Sequence, residues 1–448
     1  MTADPAAGGA PPALRRTLGY WDLVVYGLAY IAPIAPLTTL GFVWQASNGL
    51  IVLAYLLGSV CMYFTAKSYA VMTESIPSAG SVYGFARHSL GRFPGFIAGW
   101  MILLDYLLIP AFVFVLIAVA FGELVPGVGR AIWIVLLSAF TLGVNWFGVR
   151  VTTRANFIAV GVQVLVLVGF LVLAVLALGH GFGNGALTFA PVYSASAFSA
   201  GKIVSATSIC IMSFLGFDAI STLSEEVEGN DRGLVGRAII AVLVISAALF
   251  LLVTFILGNL LPGIEIKDPA AAVYELARAA IGAWAAVALA WTYATVVGLS
   301  NALPMQVGVA RVLFAMGRDR QLPHALSRVH PKYNTPYVGM LATAVISTAV
   351  ALVMRDQLDE LANIVNFGAL CGFLLLHVSV VVEFGLKRGS RSWLVHWVVP
   401  LLGIVVVLAV LKGMSTLALT VGLAWLAAGI VWGLVLRAQH RDELQVPL

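Results

Sequence analysis

Ser213-Phe214-Leu215-Gly216-Phe217-Asp218-Ala219 sets a carboxylate inside an otherwise hydrophobic run, 204–223. A charged side chain at the centre of a membrane-spanning helix costs about 2.5–3.5 kcal/mol, so one that persists faces a cavity, an ion or a partner. The glycine two residues earlier gives the chain a place to leave helical geometry. A second acid, Asp105, lies in the run 96–121, just before Tyr106. Buried acids beside a helix breaker point to a path for a solute through the membrane.

The rest of the chain agrees with a membrane setting. Hydrophobic residues make up 61% and charged residues 10%, against about 25% charged in soluble proteins. About twelve apolar runs of roughly 20 residues recur, each long enough to cross a hydrocarbon core of about 30 Å. They are 21–44, 49–72, 95–121, 132–149, 156–178, 202–223, 235–258, 281–312, 337–354, 359–384, 394–412 and 415–436. The fold class expected is therefore all-α integral membrane. Cys61, Cys210 and Cys371 all fall inside runs, without metal spacing or a disulfide framework, and read as small packing residues. The first twenty residues have no apolar h-region, so no cleavable signal peptide is expected.

Basic residues set the expected orientation. With Arg15 and Arg16 in the cytoplasm, about 19 Lys and Arg fall in inside loops and about 6 outside, the bias of the positive-inside rule. Both termini are expected in the cytoplasm of a plasma-membrane protein. This bias accounts for the net charge of +5, so no nucleic-acid partner is inferred. The partners expected are the lipid bilayer and a small-molecule substrate.

The longest non-spanning pieces are 74–94, 261–282 (amphipathic over 269–280) and 317–336. The first joins runs 2 and 3; the second joins runs 7 and 8. A shift of five runs superposes them on opposite sides of the membrane. Helix breakers follow the same shift: Pro33 and Pro36 in run 1, Gly216 in run 6. Interrupted helices at matching positions of two inverted halves are a sequence pointer to a transporter site. The organisation expected is a tail at 1–20, one inverted repeat at 21–178, a second at 202–384, two appended spans at 394–436 and a tail at 437–448.

Several stretches resemble the amino acid–polyamine–organocation superfamily of secondary transporters, with the nearest likeness to bacterial putrescine importers and amino acid permeases. They are Gly27-Leu28-Ala29-Tyr30, Leu104-Asp105-Tyr106-Leu107-Leu108-Ile109-Pro110, the Gly216-Phe217-Asp218 run with Thr222-Leu223-Ser224-Glu225-Glu226, Met316-Gly317-Arg318-Asp319, Val329-His330-Pro331-Lys332 and Asn366-Phe367-Gly368-Ala369. The resemblance implies five-plus-five inverted topology with discontinuous helices 1 and 6, and transport by alternating access. Many amino acid members carry a small glycine-rich run at the first break, whose N–H groups receive a carboxylate. Here the matching residues are Ile31-Ala32-Pro33, and proline has no N–H. Proton-coupled members often place a lysine in span 5; the matching residue here is Gln163. A neutral residue there assigns neither proton nor sodium as coupling ion.

A diamine is dicationic at neutral pH and needs anionic or π-rich partners. Asp218 supplies a charge-assisted bond to one ammonium and Asp105 is the candidate second anion. Tyr30, Tyr106, Phe214 and Phe217 offer cation–π faces worth about 0.5–2 kcal/mol each. Adjacent in one helix, Asp105 and Tyr106 cannot both point fully inward. The candidate binding residues are thus Tyr30, Ile31, Ala32, Pro33, Asp105, Tyr106, Phe214, Gly216, Phe217 and Asp218. Glu225 and Glu226 read either as a solvated helix end or as an inner gate. Trp291 and Tyr293 read as core or lipid-facing, and Glu383 as snorkelling. The histidines show no ligand spacing, so neither metal nor cofactor is expected. No selectivity-filter loop marks a channel, no clustered nucleophile and base marks an enzyme, and no Walker motif marks an ATP-driven pump. The function expected is import of a small organic cation such as putrescine; the alternative is a permease for neutral or zwitterionic amino acids. For orientation, an impermeant thiol reagent applied from outside is expected to label a cysteine placed at Asp268 and spare one placed at Arg328. The opposite pattern would reverse the topology.

Overall fold

The computed structural model describes residues 18–76, 80–147, 153–224, 227–228, 231, 233–333 and 335–439. Among them the backbone is helical, apart from turns and a lone bridge between Leu18 and Val227. Among the described residues nine helices are long and apolar enough to cross a membrane, ten if one bent pair counts as a single span. Two shorter apolar helices, Arg130–Trp146 and Tyr337–Val353, accompany them.

The first span is the bent pair, α1 (Tyr20–Ile31) and α2 (Ala35–Ala46), set at 43° to each other. Then come α3 (Ile51–Ser75), the short α4 (Ser81–Leu90), α5 (Arg92–Leu124), α6 (Arg130–Trp146) and α7 (Thr153–Gly179). The sixth span starts as α8 (Ala200–Cys210), tightens into a 3-10 turn at Ile211–Phe214, breaks, and resumes as a 3-10 segment at Phe217–Leu223. The chain continues through α9 (Leu234–Leu260) and α10 (Ala272–Ala280). Next is one long span built from α11 (Ala283–Trp291), a π-turn at Thr292–Val297 and α12 (Gly298–Arg318). It ends with α13 (Tyr337–Val353), α14 (Leu358–Val380), α15 (Val399–Lys412) and α16 (Thr416–Gln439).

Burial sorts the helices into a centre and a rim. Residues Gly95 to Ala120 of α5 are almost all buried, and α5 packs against α4, α6, α12, α13, α14 and α16. At the rim, α15 and α16 expose Leu402, Val405, Leu408, Leu423, Val431 and Leu434. In a bilayer these side chains meet hydrocarbon, so exposure carries no hydrophobic cost there. A reciprocal contact fixes α16 to α5. The Trp100 indole N–H donates to the Trp425 carbonyl at 2.8 Å, and the Trp425 indole N–H donates to the Trp100 carbonyl at 2.9 Å. The two rings stack with centroids 4.7 Å apart. Gly429 permits the approach, because a Cβ there would stand 2.3 Å from the Trp100 ring.

Ion pairs clamp the loops at both faces. On one face Arg130 pairs with Asp268 and with Asp356, at 3.3 Å for the latter, and Arg278 pairs with Glu123 at 2.5 Å. There the amphipathic piece 269–280 folds as the 3-10 turn Pro269–Ala271 leading into α10, with Asp268 capping it by accepting from the Ala270 N–H at 3.0 Å. On the other face, which carries α4, Glu383 does not snorkel as expected. Its side chain is 6% exposed and is surrounded by Arg388 at 2.8 Å, Lys387 at 3.6 Å and His88 at 3.6 Å. Two cations, Arg388 and Lys387, converging on one carboxylate compensate its desolvation.

The two breaks fall where the sequence puts them. In span 1, Ala32 takes φ 64° and ψ 113°, and Pro36 sits in the first turn of α2. In span 6, Gly216 takes φ 117° and ψ −15°. The breaks touch: a Cβ at Gly216 would lie 2.5 Å from the Tyr30 ring and 3.3 Å from the Tyr30 carbonyl carbon. Only glycine meets both the left-handed backbone and the contact. Gly216→Ala is therefore expected to cost about 1–3 kcal/mol, the range for a residue forced into a sparsely populated backbone region. Thermal unfolding of the detergent-solubilised protein checks it; an unchanged midpoint would contradict the contact.

Candidate functional site

At the span 1 break, the Ala32 N–H donates to Leu28 at 3.0 Å, the Ala35 N–H to Ala32 at 2.9 Å and the Leu37 N–H to Ile34 at 3.1 Å. Pro33 and Pro36 have no N–H. The Ile34 carbonyl also accepts from the Tyr293 hydroxyl, which arrives from the π-turn of the eighth span. Tyr293 is thus a brace for the break rather than simple core, while Trp291 two residues earlier is 56% exposed on the rim. Ile31, Ala32 and Pro33 are buried, and Tyr30 is half-buried over Gly216.

At the span 6 break, Asp218 folds back on the chain and accepts from the Gly216 N–H at 3.3 Å. The Ser221 hydroxyl donates to the Asp218 backbone carbonyl at 2.6 Å and shares a hydrogen bond with the Ser81 hydroxyl of α4 at 2.9 Å. At the other end of the break, α14 takes up the polar groups. Asn366 donates to the Ser208 carbonyl at 2.6 Å, and the Ser208 hydroxyl donates to Asn363 at 2.8 Å. Thr39, Tyr55 and Ser213 form a closed set of hydroxyls at 2.7, 2.8 and 3.3 Å. That set ties α2, α3 and the 3-10 turn together.

Asp105 and Asp218 are 5% and 7% exposed. The carboxylates lie within electrostatic range of each other and of the phenols of Tyr30, Tyr69 and Tyr106. The Tyr69 hydroxyl approaches Ser81 and Asp218 without completing a hydrogen bond to either, and Asp105 Oδ1 has no hydrogen-bond partner. Among the described residues no ion pair involves either acid. Gly368 lets α14 close on this point: a Cβ there would sit 2.7 Å from the Met101 carbonyl and 2.8 Å from the Asp105 nitrogen.

The structure thus brings together Tyr30, Asp105, Tyr106 and Asp218 beside the Gly216 break. It treats the two phenylalanines differently. Phe214 packs on Phe250 and Tyr55 with centroids 5.0 and 6.0 Å away, and Phe217 on Tyr69 and Phe373 at 5.8 and 5.9 Å. Both are fully buried and hold aromatic neighbours instead of offering open faces. Glu225 and Glu226 lie outside the described residues. Gln163 is completely buried, and both ends of its amide lack hydrogen-bond partners. The sequence reading passed over Tyr55 and Tyr69. Their signal was a polar series along one apolar run, with Tyr55, Ser59, Thr65, Ser68, Tyr69 and Thr73 all buried in α3.

Two interrupted helices joined at mid-span, with acids beside the junction, define a multi-pass membrane transport protein. The amino acid permease family profile matches residues 22–439, and the chain belongs to that family, within the amino acid–polyamine–organocation superfamily. It is 32% identical over 426 residues to the low-affinity putrescine importer PlaP of Escherichia coli (strain K12), covering 94% of this chain and 93% of that protein. It is 30% identical over 454 residues to the branched-chain amino acid permease BcaP of Bacillus subtilis (strain 168), covering 95% and 94%. To the cationic amino acid transporter 4 of Mus musculus it is 27% identical over 398 residues, covering 83% and 60%.

Tyr293→Phe removes one of two donors to the Ile34 carbonyl, the Leu37 N–H remaining, and the lost hydrogen bond costs about 0.5–1.5 kcal/mol. A lowered unfolding midpoint is expected, together with slower transport by the protein that remains folded. Equal stability of wild type and variant would contradict the brace.

Proposed function

We propose that this permease imports a small organic cation, with a diamine such as putrescine as the preferred substrate, by alternating access in the plasma membrane. The observation that carries the reading is the pair of buried carboxylates, Asp105 and Asp218, which no protein cation neutralises among the described residues. A buried unpaired carboxylate is costly, and a substrate ammonium supplies the missing charge. The span 1 break adds a second support. Its prolines lack N–H groups, and the N–H groups of Ala32, Ala35 and Leu37 are already bonded within the chain. Such a break, with the Ile34 N–H as its remaining donor, is poorly equipped to receive a substrate carboxylate. The name of PlaP gives the same substrate class.

In this reading Asp218 binds one ammonium and Asp105 the other, with Tyr30, Tyr69 and Tyr106 around the carbon chain. Residues 21–178 and 202–384 act as inverted halves that rock about the junction, and residues 394–436 are appended to them. Both termini lie in the cytoplasm, and uptake is driven by an ion gradient as symport. Glu225 and Glu226, at the inner end of span 6, draw the released cation inward. The second reading, a permease for neutral or zwitterionic amino acids, is favoured by the 30% identity to BcaP over nearly the whole chain. There Asp218 is a structural acid and other backbone donors hold the carboxylate.

Uptake into proteoliposomes with competition by putrescine, cadaverine, ethanolamine, arginine and alanine separates the two. Putrescine is expected to compete best; alanine winning would establish the second reading. Breaking a buried charge pair costs about 3–5 kcal/mol. With water entering an open site, Asp218→Asn is still expected to weaken putrescine binding at least about tenfold, which needs 1.4 kcal/mol. Asp105→Asn is expected to weaken putrescine binding comparably and ethanolamine binding much less, since ethanolamine lacks a second ammonium. Unchanged putrescine binding by folded Asp218→Asn protein would remove the assignment.

A further inference from the structure

On the face that carries α4, away from the transport site, lies a cavity of about 760 Å³. It sits where the start of α5, the turn after α12 and the end of α16 meet. Among the described residues its wall holds four arginines, Arg87, Arg92, Arg320 and Arg437, and one acid, Asp319. Its floor is apolar, made by Phe93, Phe96 and Leu436.

The rim is built rather than loose. The Tyr83 hydroxyl accepts from Arg87 at 3.0 Å and from Gln321 at 2.8 Å, which fixes two lining side chains from different segments. Trp432 of α16 donates to the Gln321 carbonyl at 2.8 Å and holds the turn against that helix. The start of α5 adds the positive end of a long helix dipole. Beyond the floor the apolar surface continues outward along α16, where Trp432, Leu434 and Val435 are exposed.

We propose that this cavity is a binding site for an anionic phospholipid, its phosphate among the arginines and its acyl chains along the outer face of α16. The arginine excess selects a negative headgroup, and guanidinium forks match phosphate oxygens in pairs. The apolar floor and its continuation onto a membrane-facing helix select a ligand with hydrocarbon attached. A free phosphate would use the first feature and waste the second. Basic pockets between spanning helices commonly take acidic headgroups.

The test uses the purified full-length protein in detergent. Unfolding midpoints are followed while dioctanoyl phosphatidylglycerol, dioctanoyl phosphatidylcholine, glycerol phosphate or inorganic phosphate is titrated in. Saturable stabilisation by phosphatidylglycerol is expected, with little effect of phosphatidylcholine. Arg92→Gln/Arg437→Gln is expected to weaken the phosphatidylglycerol response at least tenfold, and Arg437→Gln alone to weaken it less. Arg391→Gln, which removes an exposed charge outside the cavity, should leave it intact. Equal responses to the two lipids would overturn the site, as would a double variant that folds and responds like the wild type. Glycerol phosphate or phosphate acting at the same concentrations as the lipid would overturn the lipid assignment in favour of a soluble anion. The headgroup comparison needs no variant, so it decides even if the double variant fails to fold.

Discussion

A peptide carbonyl or amide left open in hydrocarbon costs several kcal/mol, and water is not there to relieve it. This fold opens such groups twice, at Ala32 in span 1 and at Gly216 in span 6. Much of the surrounding structure closes them again. Tyr293 reaches Ile34 from the eighth span, Asn366 reaches Ser208 from α14, and Asp218 reaches back to Gly216. Two of these partners, Tyr293 and Asn366, come from other helices, so the breaks bring helices together as much as they divide their own spans. The same economy appears at Glu383, where one buried acid gathers α4, the end of α14 and the following loop.

Against this background the two acids stand apart. Most buried polar groups near the junction have partners within the chain, as expected of a folded interior. Asp105 and Asp218 have none of opposite charge among the described residues. A protein that satisfies a mid-membrane carbonyl with a tyrosine from a remote span, yet leaves two carboxylates uncompensated beside it, has spent its polar contacts on shape and left charge for something else. At the same junction Pro33 and Pro36 carry no N–H, so the break in span 1 has two fewer donors than its length allows.

The sequence carried the class of fold and the places of both breaks because each rests on local chemistry. Apolar length sets spans, proline removes a donor, and glycine admits a left-handed turn. The acids were legible for the same reason: a charge in an apolar run needs no partner to be noticed. Aromatic roles were less legible. Phe214 and Phe217 flank the break in sequence, and only the packing of Phe250 and Phe373 against them shows that they serve the core. Tyr69 and Tyr293 were passed over as site or brace residues because their importance lies in what crosses to meet them, from α3 and from a π-turn. Glu383 was misread because its partners, Arg388, Lys387 and His88, come from two separate segments, and no periodicity records that.

The crossed tryptophans of α5 and α16 have a mechanical meaning. Two indole–carbonyl bonds running in opposite directions resist sliding of either helix along the other, since any displacement lengthens both together. Their stacked rings resist rotation as well. Helices joined this way behave as one plank. Whatever motion carries a solute across, α16 travels with α5 or stays still with it, and the flexing must be sought at the glycine and proline joints, where the chain is already bent.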